Sequence, residues 1–312
     1  MEFLKPIFYF VVFPGFLFTA AAGLLASWID RKVTARVQWR VGPPWYQPLI
    51  DIIKLMGKET IVPKGGSRIT FLLAPLLGLV AVTLVSTLIW IMNIWPQRSF
   101  LGDLIVILYL LIVPSLAIIL GGASSKNPLS SLGASREMKL VLAYELPFIL
   151  AVFVPVIKSG GLIRIGELVN YQVSNGAFLA SWSGAIAFGV LILFCMQAKL
   201  TLIPFDIPEA ETEIMAGPLI EYSGAPLAIF KLTKMMMLFV VPTFIITIFW
   251  GGMVFSGLSS LRSILKYVAL LVLIILIRNT SPRVRIDQAI KFFWGPVTGL
   301  SIIAILLAFL GA

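Results

Sequence analysis

Long uncharged apolar runs limit this chain more than any motif does. At about 6–29, 69–95, 104–125, 177–198, 235–257 and 292–311 the sequence carries no Asp, Glu, Lys or Arg. Each run is long enough, as a helix, to cross the roughly 30 Å of hydrocarbon in a bilayer. Within hydrocarbon every backbone N–H and C=O needs an internal partner, so such runs fold as helices. Two further runs are interrupted by charge, one at about 140–157 carrying Glu145 and one at about 259–280 carrying Arg262 and Lys266. Eight spans follow, with seven or nine as alternatives. The sixth is drawn over about 222–257, because that region has room for one long or tilted helix. With 59% hydrophobic residues and a mean hydropathy of +1.02, a soluble globular domain is excluded. The expected fold is an all-α polytopic membrane protein, a single membrane domain over 1–312. The apolar start, from Pro6 to Ile29, exceeds a signal-peptide core and reads as an uncleaved first span.

Charge then gives orientation. With the N-terminus outside, the inner loops at about 30–68, 126–139, 199–221 and 278–291 hold sixteen of the 24 Lys and Arg residues. That bias satisfies the positive-inside rule. It accounts for the net charge of +10 without nucleic acid as a partner. Gln47–Glu59 is amphipathic at helical spacing and reads as an interfacial helix; Ile163–Tyr171 is a second candidate on the outer side.

The chain has no histidine and one cysteine, Cys195. Haem, Fe–S and ordinary zinc or copper sites draw on His or several Cys. No redox metal is therefore expected in this chain, and electron transfer would occur in a partner.

Five of the fourteen acidic residues, Asp206, Glu209, Glu211, Glu213 and Glu221, fall within sixteen positions between apolar runs. Carboxylates beside a bilayer are costly unless solvated, paired or protonated, so the cluster points to proton or cation handling. These acids alternate with Phe205, Ile207, Pro208, Ile214 and Met215, which suggests a loop folded back into the protein. Glu145 is the one carboxylate read as lying inside a span. Desolvation there suits a group that takes up and releases protons. Two basic stretches complete the pattern: Asp30–Pro44 followed by Asp51, Lys54, Lys58 and Glu59, and Arg278–Gln288 before the last span.

Taken in order, the Arg-Lys-Val…Gln…Arg…Gly-Pro stretch from Arg31, Gly-Ala-Ser-Arg-Glu at 133–137, Pro-Phe-Asp-Ile-Pro-Glu-Ala-Glu-Thr-Glu at 204–213, Glu221-Tyr222-Ser223-Gly224 and Pro-Arg-Val-Arg-Ile-Asp-Gln at 282–288 resemble subunit 1 of respiratory complex I. They also resemble its homologues in membrane-bound nickel–iron hydrogenases and related ion-pumping complexes. The wording of 51–58, 133–137 and 217–224 leans toward the hydrogenase-like branch. One departure is Lys199-Leu200-Thr201-Leu202, where quinone-type relatives carry Glu and then Thr-Asn-Arg.

The resemblance implies an eight-helix, non-redox subunit of an oxidoreductase, of hydrogenase or sulfur-reducing type, without a catalytic site of its own. It would sit in the cell membrane with the acidic loop cytoplasmic. It would join an Fe–S small subunit and a hydrogenase-like large subunit to antiporter-like membrane subunits, so that Fe–S clusters and a NiFe centre lie in partners. It further implies an ion path along Glu145, Asp206, Glu209, Glu211, Glu213 and Glu221. Arg36, Arg40, Lys54, Arg136, Arg283, Arg285 and Asp287 would form the peripheral-arm interface. The alternatives are a quinone-binding subunit of a complex I-type oxidoreductase and a stand-alone secondary transporter. The paired half-repeats of many transporters are not seen in the sequence.

Overall fold

The computed structural model describes residues 4–254 and 257–311; the side chains of Leu4 and Glu211 also lie outside the described residues. Among the described residues the regular structure is helical, without strands. Eight helices are long and apolar enough to cross a membrane. They are α1 (Lys5–Val37), α3 (Arg68–Ile94), α4 (Asp103–Ser124), α5 (Pro128–Lys158), α7 (Trp182–Lys199), α8 (Gly224–Phe249), α9 (Leu258–Thr280) and α10 (Ile286–Phe309). Two shorter helices join them, α2 (Gln47–Met56) and α6 (Ile165–Asn175).

The centre of the bundle is α8. In its most apolar stretch 83% of residues are buried, against 28% for α1 and α9 and 33% for α10. Its neighbours approach closely through small residues, as membrane helices do. A side chain at Gly23 of α1 would stand only 2.7 Å from the Met235 carbonyl of α8. Around α8 the rings of Phe18, Trp90, Phe239 and Tyr267 pack together.

Helix ends depart from the hydropathy windows mainly at the end of the bundle that carries the acidic loop, termed the inner end. α1 runs to Val37 rather than about 29, α5 starts at Pro128 rather than about 140, and α10 starts at Ile286 rather than 292. Hydropathy stops at the first charge, whereas the helix continues while its charged face finds water or a partner. At the other side α7 starts at Trp182 rather than 177, because the Ser181 hydroxyl accepts from Gly184 N and caps it. α8 stops at Phe249 rather than 257, where Gly251 and Gly252 adopt φ of 80° and 69°.

Several spans are irregular. α1 is interrupted at 12–15, ahead of its longer segment Phe16–Val37. Thr19 Oγ1 satisfies carbonyls freed there, 2.8 Å from Gly15 O and 3.2 Å from Pro14 O. α7 contains a π-turn at Leu191–Cys195, and α10 another at Phe293–Val297 around Pro296. Such turns re-aim the side chains that follow.

The acidic loop 200–223 is folded into the protein. Phe205, Ile207, Pro208 and Ile214 are buried, while Met215 is 64% exposed. Ser130 Oγ of α5 donates to Pro218 O at 3.0 Å, and Val284 N to Pro204 O at 3.1 Å. Gly217 has φ +51°, and a Cβ there would meet Pro208 O. Only glycine fits that turn.

Candidate functional site

Three cavities share walls at the inner ends of the helices. The largest, about 500 Å³, is lined by Asp30, Arg31, Arg278, Asp206, Arg283, Glu209, Lys231 and Lys234, with Leu200, Leu202, Ile203, Met235 and Leu238 as apolar wall. A second, about 360 Å³, meets it at Asp206 and Arg283 and adds Arg136, Glu213, Arg285 and Asp287. A third, about 170 Å³, meets the first at Thr201, Glu209, Lys231 and Lys234 and reaches inward to Ser115 and Lys199.

Three acids of the loop, Asp206, Glu209 and Glu213, are held in ion pairs. Asp206 binds Arg283 at 2.8 Å, with its side chain 14% exposed, and Arg283 also donates to Thr212 Oγ1 at 3.3 Å. Glu209 binds Lys234 of α8 at 2.7 Å. Glu213 binds Arg136 of α5 but is 54% exposed. Across the large cavity Arg278 holds Asp30 and Arg31 holds Asp51, both at 2.6 Å. Burial pushes the Asp51 carboxyl up, but hydrogen bonds from Arg31 and Gln47 and the Arg31 and Lys231 charges outweigh it, so it lies below the ordinary carboxylate range. Loss of one partner from such a pair strands a charge. Movement of the loop therefore means exchanging partners.

Deeper in the bundle, Lys199 Nζ donates to Glu145 Oε2 at 2.9 Å; the lysine side chain is 0% and the carboxylate 12% exposed. The ammonium also stands 4.3 Å from the Phe148 ring centroid and 5.0 Å from that of Tyr144. Glu145 was read as the one carboxylate inside a span. The structure corrects this: α5 begins early enough to enclose Glu137, which is 1% exposed and hydrogen-bonded to Ser115. At the end away from the acidic loop, termed the outer end, Asp103 is fully buried at the start of α4, accepting from Ile165 N at 2.9 Å.

Of the residues singled out in the sequence, Asp206, Glu209, Glu213, Arg136, Arg283, Arg285 and Asp287 come together around the two larger cavities. Glu145 lies just inside them, through Lys199. Arg283, expected to face acids of a peripheral arm, pairs with Asp206 in this chain, where Val284 N is anchored to Pro204 O, and its side chain remains 41% exposed. Glu221 stands apart, accepting from Asn127 in the α4–α5 turn at 2.5 Å. The Glu211 side chain lies outside the described residues. Arg36, Arg40 and Lys54 are exposed and form no ion pair among the described residues. They stand near Trp39 and Val41, which are 98% and 94% exposed.

Sequence reasoning missed Glu137, Lys199, Lys231 and Lys234 as site residues. The available signal was complementarity: a lone Glu145 and a lone Lys199, each amid apolar residues, each require a buried counterion. No group of three His, Cys, Asp or Glu able to hold a metal is found among the described residues.

Comparison with solved structures places a close relative beside this geometry. A chain of the membrane-bound sulfane sulfur reductase, an archaeal respiratory membrane complex, superposes with a TM-score of 0.83 at 29% identity, over 98% of this chain and 99% of that one. The NADH dehydrogenase family model matches residues 9–309. This eight-helix chain, with its acid loop closed over paired carboxylates, belongs to the NADH dehydrogenase family, the family of subunit 1 of respiratory complex I.

Proposed function

We propose that this chain anchors a peripheral redox arm to the membrane and couples electron transfer there to the movement of protons or sodium ions. It is a multi-pass membrane subunit of a respiratory complex related to subunit 1 of complex I. The observation that carries the coupling reading is the run of shared cavity walls from exposed Glu213, past Asp206 and Glu209, to Lys199, whose ion partner is the part-buried Glu145. Each carboxylate in that run has its own cation, so a displaced loop or a charge brought to the inner face changes the pairing of several acids together. Closely coupled carboxylates then take up or release protons as a group. This chain need not touch an electron.

The exposed Arg36, Arg40 and Lys54, with Trp39 and Val41, form the docking face for the arm. That arm would hold an Fe–S small subunit and a hydrogenase-like large subunit, with Fe–S clusters and a NiFe or sulfur-reducing centre in those partners. Antiporter-like subunits would lie alongside in the membrane. The N-terminus would be outside and the acidic loop cytoplasmic. The relationship to a sulfane sulfur reductase favours sulfur species or protons as terminal acceptor. A second reading, quinone binding, is favoured by the 500 Å³ cavity and its apolar wall of Leu200, Leu202, Ile203, Met235 and Leu238. Gentle detergent purification through this chain, with subunit identification and metal analysis, separates the readings. Co-purifying Fe–S and hydrogenase-like subunits are expected. Nickel would mark a hydrogenase, and its absence a sulfur- or quinone-reducing arm. A lone chain that stays intact would contradict the coupling reading and restore the transporter.

A further inference from the structure

Three buried polar atoms with no hydrogen-bond partner lie on two helices packed against each other: Glu137 Oε2 and Glu145 Oε1 on α5, and Gln197 Oε1 on α7. Buried polar groups are almost always satisfied, so a cluster of exceptions marks water or exchangeable partners. Lys199 follows Gln197 by two residues. Its one ion partner among the described residues is Glu145, yet it also lines the 170 Å³ cavity that Ser115, Glu209 and Lys234 share. Ser115 hydrogen-bonds Glu137, and the charges facing Glu137 are Glu209 from the acidic loop, Lys234 of α8 and Lys199 of α7. Tyr144 faces both Glu145 and Glu137 and shares the Ser115 hydroxyl with Glu137 as a hydrogen-bond partner.

Charge bookkeeping limits the states of this cluster. Glu209 is matched by Lys234 at 2.7 Å. Lys231, the other cation lining that cavity, is exposed, which leaves buried Glu137 and largely buried Glu145 sharing one buried ammonium. With both acids ionised, one buried charge is uncompensated, which is costly. With one proton between them the set is neutral, and it remains neutral whichever acid holds the proton.

We propose that Lys199 is a two-seat cation, its ammonium exchanging between Glu145 and Glu137 while one proton passes the opposite way between the two carboxyls. With the ammonium on Glu145, Glu137 carries the proton. When the ammonium moves to Glu137, that O–H bond breaks and one forms on Glu145, and no net charge is created. The two acids are eight residues apart, about 12 Å along a helix axis. The proton therefore travels through the Tyr144 hydroxyl and cavity water; 170 Å³ accommodates several waters at about 30 Å³ each. The local backbone suits two positions. A π-turn precedes Lys199 at Leu191–Cys195, and Thr201 beyond it is held at φ 48°, a region that branched residues avoid.

This inference rests on the coupling reading, and the test tells the two apart. The assembled complex, reconstituted in liposomes and driven by reduced methyl viologen with polysulfide or protons as acceptor, is scored for H⁺ and ²²Na⁺ moved per electron. Lys199→Met and Glu137→Gln are expected to lower that ratio at least tenfold, and Lys199→Arg to keep more than half of it. Redox-induced infrared difference spectra should lose protonated-carboxyl bands in both Glu137→Gln and Glu145→Gln. If Glu145→Gln uncouples while Lys199→Met and Glu137→Gln pump normally, the two-seat cation is wrong and the coupling reading stands. If all three pump normally, the coupling reading itself fails. Should Lys199→Met fail to assemble, the charge-balanced pair Lys199→Met with Glu145→Gln replaces it, and a wild-type ratio there overturns the proposal.

Discussion

The two ends of the bundle treat buried polar groups in opposite ways. At the outer end the amides and hydroxyls saturate one another. Asn93 donates to Thr247 Oγ1 at 2.9 Å and accepts from Met253 N at 2.8 Å, while Gln172 donates to Thr247 O and accepts from Gly251 N. These amides and hydroxyls fix the turn after α8 against α3 and α6. Asp103, whose Oδ2 lacks a partner, sits at a helix N-terminus, where the helix dipole favours a carboxylate. At the inner end the groups are charged, they line cavities, and several keep an oxygen to spare. A saturated neutral network has one low-energy arrangement. An under-satisfied charged one has several, separated by partner exchange. The difference assigns rigidity to the outer end and switching to the inner end.

The comparison is broken most severely at the deep pair. Lys199→Met alone strands Glu145 and is expected to destabilise the protein by roughly 3–5 kcal/mol. The double change with Glu145→Gln should recover most of that loss, since neutral replacement of a buried pair is often harmless. Thermal unfolding of the purified complex reads both; equal losses in single and double variants would mean the pair is not a unit. Next in size is the outer network. Asn93→Ala orphans Met253 N and removes the donor to the Thr247 hydroxyl, which still donates to Thr243 O; the expected cost is about 1–3 kcal/mol, and ions moved per electron should not change. A pumping defect there would erase the division between the ends.

Smaller effects sharpen the inner end. Arg136→Gln removes the partner of exposed Glu213, and the expected stability change is within about 1 kcal/mol. Smallest is the pH response of the Arg31–Asp51 tether between α1 and α2. Its folded carboxyl lies below the ordinary value, so its contribution is complete above pH of about 4 and is lost as pH falls through the lowered folded value. Acid titration of stability should show that slope in the native chain and lose it in Asp51→Asn.

The fold was readable because hydrocarbon forces helices, so eight spans and an acidic loop folded back into the protein followed from patterning. The partners of the acids were not readable. Glu145 meets Lys199 and Asp206 meets Arg283 across 54 and 77 residues of sequence, and hydropathy carries no information about which helix faces which. Glu137 was hidden because a window that ends at the first charges of α5 excludes it, although the helix continues to Pro128. Lys199 stood out in the sequence only as a departure from relatives. In the structure it is the counterion that allows Glu145 to remain buried.

The most direct measurement is the number of ions moved per electron by the reconstituted complex carrying Glu145→Gln, beside the unaltered complex in the same liposomes. Coupling through the buried carboxylates predicts a fall of at least tenfold in that ratio while electrons still flow. An unchanged ratio would contradict it and leave the chain as an anchor whose carboxylates only hold the inner loops together.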